Sequence, residues 1–213
     1  MAILPPSEAS ARLVAHAREA RDDDARWLAV ADALAAEKNP LGEYIALSLR
    51  LRRGDSSVVA RMNAVARAWR TRYAPWTRLF AWWNIGLVLT MRDLESVYAH
   101  IDDLRAIGLP LVLEISRGRD APDVCTFDDA FTRIAWMRKR TTVENASWGP
   151  GLGEDVYHWR DVIVWRVADR AELFSARGIE AGWIAVELRG NGVYAIGAKP
   201  GAELVVGSSK SAR

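Results

Sequence analysis

The chain holds one cysteine, three histidines and four lysines in 213 residues, and it has no long apolar run. Each shortage excludes something. A single thiol, Cys125, forms no intramolecular disulfide and builds no cysteine-based zinc site, which fits a reducing compartment. As a nucleophile it lacks a basic partner, because His100 and His158 stand in segments without a matching signature. No stretch approaches the roughly 18 to 20 apolar residues that cross a bilayer. Met1 to Ala11 has neither the basic nor the apolar part of a signal peptide. The expectation is a cytoplasmic protein with no membrane partner, no metal, no cofactor and no catalytic constellation. A net charge of +2 is too small to imply a polyanionic partner by itself.

What is present is the composition of a globular protein: half the residues are hydrophobic and 26% are charged. The charge is uneven. From Arg50 to Arg78 there are eight arginines, Arg50, Arg52, Arg53, Arg61, Arg67, Arg70, Arg72 and Arg78, against one acid, Asp55. The preference for arginine over lysine, with abundant alanine, matches the coding bias of a GC-rich bacterial genome and weakens a functional reading of arginine as such.

Periodicity predicts a helical front half. Ser7, with Ser10 as a competing cap, opens a helix to Arg21 with Ala9, Leu13, Val14 and Ala17 on one face, and Asp22 to Asp24 then head a second helix carrying Trp27, Leu28, Ala31 and Leu34. Three aspartates in a row evoke a divalent metal, but no further ligands follow at loop spacing, so capping is the reading. Asn39-Pro40 stops that helix and starts a third with Leu41, Tyr44, Ile45 and Leu49 inward; Gly54 ends it. Asp55, Ser56 or Ser57 caps a fourth with the stripe Val58, Val59, Met62, Val65, Ala66, Trp69 and Tyr73, ending at Pro75. Short connections imply an antiparallel bundle.

The pattern then changes. Ile85 to Met91 reads as a strand, Asp93 to Ile107 as a helix closed by Gly108, and Leu109 to Ile115 as a second strand, the order of a βαβ unit. Residues 117–123 form a polar loop and a candidate boundary. Phe127 to Arg140 is predicted as a helix with Phe131, Ile134 and Ala135 inward; 147–155 is a glycine-rich loop; Val162 to Val167 is a strand; Ala171 to Ala176 is a turn or two of helix. Alternation from Trp183 to Leu188, then Gly190-Asn191-Gly192, then Val193 to Ile196 predicts a hairpin, with Leu204 to Val206 as a last strand. The fold class is α+β: a helical bundle over 1–80, a βαβ-like connector over 81–116, and a small mixed sheet with a hairpin at 183–197 in an α+β domain over 117–213.

The stretch Asp22 to Leu51 has an acidic run before its first helix, then Ala31-Asp32-Ala33-Leu34, the break at Asn39-Pro40, and Gly42-Glu43-Tyr44-Ile45-Ala46-Leu47. In these features it resembles the repeat-companion domain, a short bacterial module that precedes leucine-rich repeats in myxobacterial and planctomycete proteins. Trp83 to Ile115, with Gly86-Leu87-Val88 and Leu109-Pro110, is similar to the stretch leading into the first repeat, so the likeness spans about residues 7–115. No leucine-rich consensus follows Ile115, and alanine stands where the family's Ala-Asp-Trp-Leu pattern has tryptophan. The resemblance implies a scaffold or adaptor with no enzymatic role.

Ten tryptophans is a high number for this length. Trp27 and Trp69 lie on apolar helix faces and read as core. Trp76, Trp82 and Trp83 stand beside the arginine-rich segment, and exposed tryptophan next to arginine is the composition of interface hot spots. Arg61, Arg67, Arg70, Arg72, Trp76, Arg78, Trp82 and Trp83 are therefore the candidate contacts for another protein. The same mixture suits single-stranded nucleic acid through phosphate neutralisation and stacking, and a plain solvated helix face competes with both. A third reading places a small ligand, or hydrolytic chemistry, at the loop 148–161 through Trp148, His158 and Trp159. Its glycines match no phosphate loop or dinucleotide fingerprint.

Overall fold

Ser7 opens the first helix by accepting from the Ser10 backbone N–H, and the Glu37 carboxylate reaches the same end, taking hydrogen bonds from the Ser7 backbone N–H and from both serine hydroxyls. These residues belong to a computed structural model that describes residues 3, 5–20, 22–77, 80–83, 86–115, 123–144, 155–180, 183–197 and 203–208. The chain divides into two units, Met1–Val112 and Leu113–Arg213. It is an α+β protein in which N-terminal helices precede the sheets.

Unit 1 begins with four helices, the first three started by residues that the sequence marks for them, whereas the fourth follows Val58 without a side-chain cap. They are α1 (Glu8–Glu19), α2 (Asp24–Ala36), α3 (Pro40–Arg52) and α4 (Val59–Tyr73). Asp23 caps α2 by accepting from Ala25 and Arg26, and Asn39 caps α3 with Pro40 in its first turn. Gly54, at φ +92°, follows α3. Asp55 then accepts from the Ser57 N–H and starts the 3₁₀ turn Ser56–Val58 that feeds α4. The buried core takes Trp27, Val30, Ala31 and Leu34 from α2, Leu41, Tyr44, Ile45 and Leu49 from α3, and Val65 and Trp69 from α4. Burial of each large side chain stabilises by roughly 1.5–3 kcal/mol. At Gly42, α2 and α3 come so close that an added Cβ would lie 2.4 Å from the Ala31 carbonyl oxygen.

After α4, strands β1 (Phe80–Trp83) and β2 (Gly86–Met91) pair antiparallel, with Phe80 opposite Leu89 and Trp83 opposite Gly86. The stretch predicted as one helix over 93–107 is two short ones, α5 (Leu94–Ala99) and α6 (Ile101–Ile107). They meet at His100, whose ring stacks on Trp76 at 4.5 Å between centroids and whose Nδ1 lies 3.4 Å from the Asp103 carboxylate. Gly108, left-handed at φ +67°, closes α6, and β3 (Leu111–Ile115) follows, so the strand, helix, strand order of the sequence reading is present.

Unit 2 is built of antiparallel neighbours. Leu113 to Ile115 pair with β4 (Asp123–Phe127), which pairs in turn with β5 (Arg133–Glu144), then β6 (Asp155–Arg166), then β7 (Glu172–Glu180). A second sheet has the order β10-β9-β8, from β8 (Trp183–Arg189), β9 (Gly192–Gly197) and β10 (Glu203–Ser208). The hairpin at Gly190-Asn191-Gly192 joins β8 to β9 as its sequence predicts. The Thr126 hydroxyl donates to the Val186 carbonyl at 2.9 Å and ties the two sheets together.

Two expected helices are strands. Over 127–140 the chain leaves β4, turns at Asp128, and returns as β5. Ile134, Ala135 and Met137 are all fully buried, so the strand is covered on both faces; its apolar run then imitates helical spacing instead of alternating. The turn is held by Asp128, which accepts from the Thr132 and Arg133 backbone N–H groups, the Thr132 hydroxyl and the Arg133 guanidinium. Ala171 to Ala176 falls mostly in β7, where Phe174 pairs with Val164 and the ladder overrides a helix-prone local composition. The boundary loop expected at 117–123 lies, except for Asp123, outside the described residues.

Candidate binding groove

Helix α4 presents one face to α3 and leaves a second beside it. Arg61, Ala64, Val65, Ala68, Trp69, Arg72 and Tyr73 recur at three- and four-residue spacing, so they line a single stripe. Together with Lys38, Pro40 and Glu43, that stripe encloses a groove of about 460 Å³ within unit 1. The small side chains of Ala64 and Ala68 keep it open. Trp69, at 3% exposure, belongs to the core although it borders the groove; its ring lies 6.0 Å from that of Tyr73. The Arg72 guanidinium sits over the Tyr73 ring at 5.2 Å.

The electrostatics are cationic. Lys38, Arg61 and Arg72 face one carboxylate, Glu43, and that carboxylate already accepts both prongs of the Arg61 fork, at 2.6 and 3.0 Å. Those hydrogen bonds and the Glu43 charge push the Arg61 pKa up.

The wider arginine segment is less bare than its sequence implies. Arg50 forks onto Asp55 at 3.0 and 2.6 Å, and Arg52 and Arg53 both pair with Asp24. Two of the acids concerned, Asp24 and Glu43, lie earlier in the chain, on α2 and α3. The aspartate run is thus a cap and an arginine clasp.

Of the residues predicted for partner contact, Arg61 and Arg72 line the groove, Arg67 is exposed on α4, and Arg70 is half-buried. Trp76 is half-buried and stacked on His100. Arg78 lies outside the described residues, as do the side chains of Trp82 and Trp83. For the ligand reading, Trp148 and the side chain of His158 also lie outside them, whereas Trp159 is half-buried on β6 opposite Arg140. From Asp155 onward, the segment read as a loop is strand β6.

Sequence reasoning missed Lys38, Glu43 and Tyr73. Lys38 is non-glycine at φ +59°. Its N–H bonds to the Ala35 carbonyl and the Asn39 N–H to the Leu34 carbonyl, so α2 ends in a Schellman motif with lysine where glycine is usual. Lys38 stands two residues past Ala36, the last of α2, and just before Asn39-Pro40.

Among the described residues no cluster of three metal-ligating side chains occurs, and no helix is long and apolar enough to cross a membrane. No protein-family model matches the chain, and neither a curated protein nor a solved structure matches it.

Proposed function

We propose that this protein is a non-catalytic interaction or adaptor protein of a bacterial cytosolic system, and that its partner is another protein, docked along α4. The observation that carries the reading is the groove: Arg61, Arg72 and two aromatic rings share one face of α4, Lys38 borders it from the end of α2, and the single carboxylate in the lining is already engaged. Arginine and aromatic side chains are enriched where interfaces concentrate their binding energy. The likeness of Asp22 to Leu51 to the repeat-companion domain supports the same class, as does its implication of a scaffold role.

The test is charge reversal on the exposed positions. Arg67→Glu with Arg72→Glu leaves the far-ultraviolet circular dichroism and thermal midpoint near those of the parent chain. It removes the proteins that co-purify with the nuclease-treated parent chain from its native extract. Recovery of the same proteins by the reversed chain overturns the reading.

A further inference from the structure

The groove of α4 also specifies the chemistry of what it receives. We infer that its occupant is an acidic peptide segment in extended conformation, whose carboxylates meet Lys38 and the Arg61 and Arg72 ends of the helix face while an apolar side chain between them packs on the exposed Ala64 and Ala68. This rests on the interaction reading above and narrows it.

Three features lead there. Arg61 and Arg72 are eleven residues apart on one helix, about 16 Å along its axis, so no single small anion spans them; a chain of five or six extended residues does. The floor between the charges is apolar, with Ala64, Val65 and Ala68. A polyanion of phosphates would leave that floor without a partner. Stacking of nucleic-acid bases has no platform either: Trp69 is 97% covered, and the Tyr73 face carries the Arg72 guanidinium.

The third feature is Lys38. A left-handed residue at the end of a helix favours glycine, because a Cβ there crowds the following carbonyl. A lysine held at φ +59° is a local conflict, and such conflicts cluster where a side chain serves recognition. Here the side chain is one of the three cations of the groove.

The experiment is a display selection of random twelve-residue peptides on the immobilised full chain, followed by fluorescence anisotropy of the enriched sequences. Acidic sequences with interspersed apolar residues are expected to enrich. Lys38→Gly and Arg72→Gln should each weaken them at least tenfold. Lys38→Gly should at the same time raise the thermal midpoint by about 2–4 °C, since glycine relieves the backbone conflict; weaker binding by a more stable chain separates recognition from folding. Enrichment of neutral or basic sequences, or binding indifferent to Lys38→Gly, overturns the proposal while leaving the interaction reading intact. So does an absence of enrichment when the reversed chain of the preceding test still loses its partners. Tight, steeply salt-dependent binding of a labelled twelve-nucleotide single strand in place of the peptides overturns both.

Discussion

Arg61 of α4 and Glu43 of α3 meet in a two-pronged ion pair, Nε to Oε1 at 2.6 Å and Nη2 to Oε2 at 3.0 Å. The pair lies on the groove wall and is largely exposed, so its contribution to folding is small. Its larger effect is on the field inside the groove, where it sets the one negative group against the cation best placed to neutralise it.

Replacing Glu43 with Gln therefore changes the groove more than the fold. The variant is expected to hold its urea midpoint close to that of the parent chain and to bind an acidic twelve-residue peptide more tightly, by about threefold to tenfold. Anisotropy titrations at two salt concentrations check this, and the gain should shrink as salt rises.

Gly42 sets the distance between α2 and α3. A Cβ there would meet two backbone atoms, the Ala31 carbonyl oxygen at 2.4 Å and the Ala35 nitrogen at 2.6 Å, and backbone does not yield as a side chain does. Gly42→Ala is expected to cost about 1–3 kcal/mol, read as a lowered urea midpoint. Gly54→Ala, with nothing within 4 Å, gives the contrast: there the cost is the backbone conformation alone.

Asp128 organises the turn between β4 and β5 through four accepted hydrogen bonds, and it is only 7% exposed. Burial raises its pKa, but the bonds from the Arg133 backbone and the Thr132 hydroxyl outweigh that and hold it below the ordinary 3.8. A carboxyl depressed in the folded state contributes stability above its unfolded pKa, and that contribution is lost as the pH falls through the folded value. Asp128→Asn should thus destabilise unit 2 by about 2–3 kcal/mol at neutral pH. The gap between parent and variant should close progressively below pH 3.8, which urea titrations at pH 7 and in acid will show.

The legible parts of this sequence were those in which a local rule and the tertiary structure agree. Ser7, Asp23 and Asn39 each cap the helix that their position predicts, Asp55 caps the 3₁₀ turn that leads into the fourth, and Gly190-Asn191-Gly192 turns the hairpin. The illegible parts were those in which tertiary context reversed the local signal. Strand β5 is buried on both faces, so Ile134, Ala135 and Met137 erase the alternation that would have revealed it. The groove was half visible. Arg61 and Arg72 stood out in the arginine run, but their charge could be weighed only once α3 brought Glu43 alongside. Nor does one-dimensional spacing announce that Lys38 occupies a left-handed position.

The solitary thiol of Cys125 sits at 0% exposure in the middle of β4, in unit 2, and unit 1 contains no sulfhydryl. A thiol reagent in mild denaturant therefore acts as a clock for one half of the molecule. Its rate counts openings of the β4 neighbourhood, so it reads the kinetic stability of that neighbourhood without any engineered label.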